Sequence, residues 1–162
     1  MKNPSPKQPI VLREWEVRAI LEERKTQLQR PIKPQPPEYC DYFEIRGDVP
    51  NRFRGYMQPG EPTELLLPKC PYGIPGDLLW VREAFCYGWD IHAVCFAPEL
   101  LPEDILYKAD IETKEKVPWR SAVTMPRKSS RIWLRINEIR VEKIPNIPVP
   151  WHWTIECERL VP

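Results

Sequence analysis

Three stretches of the chain bring together side chains able to do chemistry. Residues 24–30 read RKTQLQR. Arg24, Lys25 and Arg30 supply three cations and Gln27 and Gln29 two amides, with Thr26 between them and Leu28 as the strongly apolar member. An amine and a guanidinium placed where a helix gives way to a strand can hold a phosphate or a base edge. The plainer alternative is a solvated charged face, and residue types alone favour it. The second stretch is LLWVREAF (78–85), where Glu83 falls among Leu79, Val81 and Phe85. A carboxylate on the apolar face of a strand is costly unless paired. Lys25 or an arginine is its natural partner, in a structural ion pair or in the wall of a ligand pocket. The third is VPWRSAVTMPRKSSR (117–131), in which Trp119, Arg120, Arg127, Lys128 and Arg131 mix aromatic and basic character. Such a mixture suits stacking on a base and neutralising phosphate; equally, Trp119 could cap a core while the cations stay solvated.

Positioning these residues requires regular elements. EWEVRAILEER (14–24) puts Val17, Ile20 and Leu21 at i, i+3 and i+4, which predicts one short amphipathic helix over 15–24. PIVL before it can start a sheet. TQLQRPIK after it can run extended, its exit fixed by Pro31, Pro34, Pro36 and Pro37. Residues 38–68 read as irregular, with short strands at YFEIR and TELLL, and KCPYGIPGD as a turn-rich loop in which Gly73 and Gly76 permit unusual backbone shapes. LLWVREAF reads as one uninterrupted strand, with Leu79, Val81, Glu83 and Phe85 on one face and Trp80 and Arg82 on the other. Residues 86–104 read as a variable loop and ILYKAD as a short strand.

RIWLRINEIRVEKI is the longest strand signal. Its apolar phase slips between Ile136 and Ile139, which predicts a bulge near Asn137–Glu138. WHWTIECERL alternates, with Trp151, Trp153, Ile155 and Cys157 inward and His152, Thr154, Glu156 and Glu158 outward. Trp133, Trp151 and Trp153 accordingly read as core. Many short strands, one clear N-terminal helix and long Pro-rich loops predict an α+β, mainly β fold. The expectation is a small barrel of about five or six strands with the helix across one end.

Composition narrows the function classes. At 162 residues the chain suits a single domain over 10–162 behind a loose lead-in at 1–9. The net charge of +1 gives no global pull toward nucleic acid or anionic lipid, so any such contact must be a local patch. Pro, at 21 residues, points to short elements and fixed loops. No apolar run approaches the ~18 residues of a membrane span, and the start lacks an apolar signal core; the expected setting is cytoplasmic, with no membrane partner. The five cysteines contain no C-x-x-C pair, and His92 and His152 are far apart in sequence. Free thiols are therefore expected rather than a metal site. No Gly-rich phosphate loop or nucleophile elbow is present, and no cofactor is expected.

Several pieces taken in order resemble the ASCH family, a branch of the PUA-like β-barrels, in particular versions carried by phages and prophages. These pieces are VRAILEERKTQLQRPIKP, CPYGIPGDLLWVREAF, ILYKAD, WRSAVTMPRKSSRI and PWHWTIECERL. The resemblance implies a PUA-like barrel with a pocket between the helix-1 motif and neighbouring strands, and a role near RNA, nucleotides or modified nucleosides. Arg24, Lys25, Thr26, Arg30, Arg82, Glu83, Trp119, Arg127 and Arg131 are the expected ligand-binding residues.

One branch of the family hydrolyses N4-acetylcytidine with a lysine, a threonine three positions on, and a glutamate in a later helical stretch. Lys25 matches the lysine. Leu28 stands at the threonine position, and only PNIPVP follows RINEIRVEKI where the glutamate-bearing stretch belongs. Thr124 and Lys128 stand where phage relatives tend to carry His and Trp. The leading expectation is thus a binding module for RNA or a nucleotide. A hydrolase of acylated cytidine or RNA, using Lys25 and Glu83, is the second, and an interaction domain with a vestigial pocket the third.

Overall fold

The computed structural model describes residues 8–45, 52–58, 60–94, 98–112 and 116–161. The order of elements is β1 (Gln8–Val11), α1 (Glu14–Leu21), β2 (Gln27–Pro31), β3 (Tyr42–Ile45), β4 (Phe53–Met57), β5 (Glu61–Leu66), β6 (Leu78–Arg82), β7 (Phe85–Tyr87), α2 (Gly88–His92), β8 (Ile105–Tyr107), β9 (Trp133–Lys143) and β10 (Trp151–Leu160). Short 3₁₀ turns lie at 108–110, 122–124 and 127–129. The strands form a five-stranded sheet in the order β1-β6-β9-β10-β2, a three-stranded sheet β3-β4-β5 and a two-stranded sheet β7-β8. The fold is mainly β, and no closed barrel is found among the described residues.

Two compact units form. The first contains Thr26–Leu79 and Leu134–Glu158, and the second Pro9–Lys25, Trp80–Trp133 and the chain from Arg159 onward. In the first, β2 runs antiparallel to β10 with Leu28 opposite Ile155 and Gln29 opposite Thr154. Leu28, Ile155, Trp151 and Trp153 are buried. Phe43 meets Trp151 edge-on at 4.9 Å and Phe53 meets Trp153 at 5.4 Å; these offset contacts favour the ring quadrupoles. The short strands expected at YFEIR and TELLL form as β3 and β5, and β4, which the sequence reading did not mark, joins them in a three-stranded meander. Ile144 N–H bonds the Pro150 carbonyl at 2.8 Å, closing the short 145–150 connection between β9 and β10.

In the second unit, α1 begins with the Glu16 carboxylate accepting the Arg13 backbone N–H at 3.0 Å, which satisfies one group left open by helix geometry. It buries Val17, Ala19 and Ile20. It ends earlier than the sequence predicts, at Leu21. Glu23 takes a left-handed φ of 57°. The Arg24 and Lys25 N–H groups then both turn back to the Ala19 carbonyl, at 2.8 and 3.1 Å, a C-terminal cap in the manner of helix ends generally. The cap fixes where the Arg24 and Lys25 side chains leave the helix, and their charge suits its negative end.

Three further expectations change. The strand predicted over 78–85 is broken at Glu83–Ala84 into β6 and β7, although the buried parity of Leu79, Val81, Glu83 and Phe85 runs through the break. The stretch read as a variable loop contains α2. Its Gly88 lies so close to the Leu101 carbonyl oxygen that a Cβ would sit 1.8 Å from it, so only glycine fits. Thr154, expected outward, is buried at 1% exposure, and its hydroxyl is satisfied there by donating to the Glu142 carboxylate at 2.6 Å. β9 is continuous, and its buried positions shift phase across the exposed pair Asn137–Glu138, where the slip was expected.

Candidate nucleotide-binding site

The second unit holds the buried carboxylate that the sequence singles out. Glu83 sits at the break between β6 and β7, a point pinned because Lys108 N–H donates to the Ala84 carbonyl at 2.9 Å and Phe85 bridges to Arg120. Glu83 is 2% exposed. Its partner is Arg131, whose Nε donates to Oε1 at 2.8 Å and Nη2 to Oε2 at 3.0 Å. The other edge of the same guanidinium binds Asp110 at 2.5 and 2.9 Å. Its face lies 4.0 Å from the Tyr107 ring centroid, and the Tyr107 hydroxyl donates to the Ser129 carbonyl at 2.9 Å. A planar five-donor fork is the side chain that can serve two carboxylates and an aromatic face at once.

Burial pushes the Glu83 carboxyl above the usual glutamate range; Arg131 opposes the shift and Asp110 adds to it. Burial works to lower the Arg131 pKa, yet the hydrogen bonds it donates to Glu83 and Asp110 outweigh it and hold the guanidinium above its ordinary value. With both oxygens engaged and almost no surface, Glu83 braces the unit from within.

Beside this brace, at Ala84, opens a cavity of about 500 Å³. Leu12, Arg13, Glu14, Trp15 and Arg18 line it from the start of α1, with Ala84 and Ala122 opposite. Trp15 is 56% exposed. The Lys25 Nζ lies 5.1 Å from its ring centroid, within range of a cation–π contact. Arg18 is anchored by the Ala109 carbonyl at 2.7 Å and by Glu112 at 3.3 Å, and Lys108 pairs with Glu14 at 2.6 Å. The cavity therefore joins one exposed aromatic side chain to Arg13 and Arg18, with Glu14 beside them. That combination can hold a planar ring with an anionic substituent.

The other expected residues have different surroundings. In the second unit, Arg24 pairs with Glu22, Arg82 stacks on Trp80 at 4.6 Å and Arg127 on Trp133 at 5.5 Å. Trp119 packs against the small cluster of Cys86 and Ile91, so its ring serves packing. Lys25 is engaged by Trp15, and the partner of Glu83 is Arg131. Thr26 and Arg30 belong to the first unit, where the Thr26 carbonyl accepts the Cys157 N–H at 2.7 Å and Arg30 Nη1 donates to the Gln29 carbonyl at 2.8 Å.

A second aromatic–cation group was not expected. Arg120 binds Asp90 through two bonds of 2.8 and 2.7 Å while lying 5.3 and 6.0 Å from the Tyr87 and Trp89 ring centroids. Arg120 hydrogen bonding holds the Asp90 carboxyl below the usual range.

Trp15 also escaped the sequence reading, although a signal exists. At 100° per residue it falls on the side of α1 opposite Val17 and Ile20, so a large aromatic occupies the polar face. Cys40, Cys70, Cys86 and Cys157 are free and buried; burial pushes the Cys70 and Cys86 thiols up to about 11 and Cys157 up to about 12. Cys95 lies outside the described residues. Among the described residues no group of three or more His, Cys, Asp or Glu could hold a metal ion, and no helix is long and apolar enough to cross a membrane.

Comparison of the chain with protein-family models, with curated proteins and with solved structures finds no match.

Proposed function

We propose that the chain is a binding module for RNA or for a modified nucleoside or nucleotide, of phage or prophage type, and that its strands belong to a PUA-like barrel. The observation that carries the reading is Trp15. A tryptophan on the polar face of a short helix, more than half exposed and held under Lys25, opens onto a cavity that also contains Arg13 and Arg18. Burial does not explain its position, whereas a base has a π-face that stacks on such a ring, and the surrounding cations suit its phosphate. The volume of about 500 Å³ falls in the range of small-ligand sites. The Glu83–Arg131–Asp110 brace supports the reading by holding the wall beside Ala84 in one geometry.

A thermal-shift screen with nucleosides, nucleotides and short RNAs tests this. A ligand at ~100 times its dissociation constant stabilises the fold by about 2.7 kcal/mol. No shift with any of these compounds would contradict the proposal.

A further inference from the structure

The first unit carries a cavity of its own, about 440 Å³ in volume. Lys33 and Lys69 stand in its lining, with Tyr72 and the buried Trp153 as its aromatic members. Each of the two other described cavities includes a glutamate beside its cations, Glu14 in one and Glu38 in the other. Here the lining contains no carboxylate. Neither Lys33 nor Lys69 has a hydrogen-bond, ion-pair or ring partner among the described residues. Arg30 adds to the positive potential. Burial raises the Tyr72 phenol pKa, and the Arg30 charge pulls it back down.

The frame is rigid. Pro31, Pro68 and Pro71 fix the backbone around the lysines. The loop is tied by Gly73 N–H to the Cys70 carbonyl at 3.3 Å, Ile74 N–H to the Asp77 carboxylate at 3.1 Å and Gly76 N–H to the Ile136 carbonyl at 2.7 Å. Gly73 has a left-handed φ of 116°, and a Cβ there would meet the Asp77 carboxylate at 2.7 Å, so the loop shape demands glycine.

Two cationic residues in the lining of one carboxylate-free hollow give it a local positive potential that attracts an anion. We propose that this hollow is a second ligand site and that it takes a phosphate monoester, with Lys33 and Lys69 on the phosphate oxygens and Tyr72 against the group that carries it. The phosphate belongs either to a free nucleotide or to the 5′ end of an RNA.

The test is calorimetric titration of the full chain carrying Trp15→Ala, which removes the aromatic face of the other cavity and keeps the two sites distinguishable. The probes are inorganic phosphate, adenosine, adenosine monophosphate, and one short RNA with and without a 5′-phosphate. Adenosine monophosphate is expected to bind and adenosine to bind at least about tenfold more weakly. Lys33→Ala and Lys69→Ala are each expected to weaken the phosphorylated probe by about tenfold, the usual size of one charge-assisted hydrogen bond. Tighter binding of the 5′-phosphorylated RNA than of adenosine monophosphate identifies the RNA end as the source; the reverse order identifies the free nucleotide. Both lysines are exposed, so the variants should keep the parent's circular dichroism spectrum. Equal affinity for phosphorylated and unphosphorylated probes, or lysine variants that fold and bind unchanged, would overturn the proposal.

Discussion

Arg131 grips both oxygens of Glu83, at 2.8 and 3.0 Å, inside a site where Glu83 is only 2% exposed. The two residues are unequal partners. Arg131 keeps a second carboxylate, Asp110, whose side chain is 47% exposed, whereas among the described residues Arg131 is the cation that pairs with Glu83. Losing Arg131 therefore strands a buried charge, while losing Glu83 leaves Arg131 still paired.

Arg131→Met should destabilise the protein by roughly 3–5 kcal/mol, the usual cost of breaking one side of a buried pair. Adding Glu83→Gln to that variant should restore part of the loss, because the stranded charge is gone. Asp110→Asn should cost less than about 1 kcal/mol, as exposed pairs do. Urea unfolding of the four proteins checks the order. Equal losses for Arg131→Met and Asp110→Asn would mean that Glu83 is not held as described.

The Glu83 carboxyl should titrate above the ordinary glutamate value of about 4.3. A raised folded pKa means that the folded state takes up its proton first. The linked stability is fully present below about pH 4.3 and is lost as pH rises through the folded value. Wild type should thus gain on Glu83→Gln as pH falls through that window. Carbon-detected NMR of the Glu83 carboxyl gives the midpoint directly, and a midpoint at or below the ordinary value would refute the burial effect.

Glu142 behaves in the opposite sense. The Thr154 hydroxyl, ahead of Arg140, holds its carboxyl below the usual range. Stability from this contact is present above about pH 4.3 and fades as pH falls through the depressed folded value. Thr154→Val should cost roughly 1–3 kcal/mol at neutral pH, and the gap from wild type should narrow in acid. A gap independent of pH would show that the hydroxyl does not serve an ionised Glu142.

How much of this could be read from the sequence varies by residue. The burial of Glu83 was legible because alternation continues through the broken strand, while the break itself leaves no trace in that alternation. Its partner was legible only as a set of cations, since Arg131 lies 48 positions away. Thr154 was placed outward by alternation, and no local pattern reveals a carboxylate arriving from β9. α2 depends on a close approach between Gly88 and the Leu101 carbonyl, a tertiary fact. Trp15 was readable in principle from its helix phase; the amphipathic signal of Val17, Ile20 and Leu21 drew attention to the other face.

Lys25 should act through its charge. Its Nζ stands over the Trp15 ring at 5.1 Å, and Leu28, three positions on, is buried in β2 and offers no hydroxyl. Lys25→Arg should retain most of the affinity for a nucleotide or RNA. Lys25→Ala should lose a factor of roughly 2–5, the size of an exposed cation–π contact. No deacetylation of N4-acetylcytidine is expected from wild type. Turnover that both substitutions abolish would establish Lys25 as a base or nucleophile instead, since a guanidinium does not deprotonate.

The most direct test of the binding reading is the affinity of Trp15→Ala for the short RNA or nucleotide that shifts the melting of wild type most. Trp15 is exposed and lies off the core, so the variant should melt at the wild-type temperature without ligand. Its dissociation constant, measured by calorimetry at fixed salt, should rise by about 5- to 150-fold, the loss of ~1–3 kcal/mol from one stacked base. An unchanged dissociation constant would contradict the assignment of the Trp15 cavity as the nucleotide site.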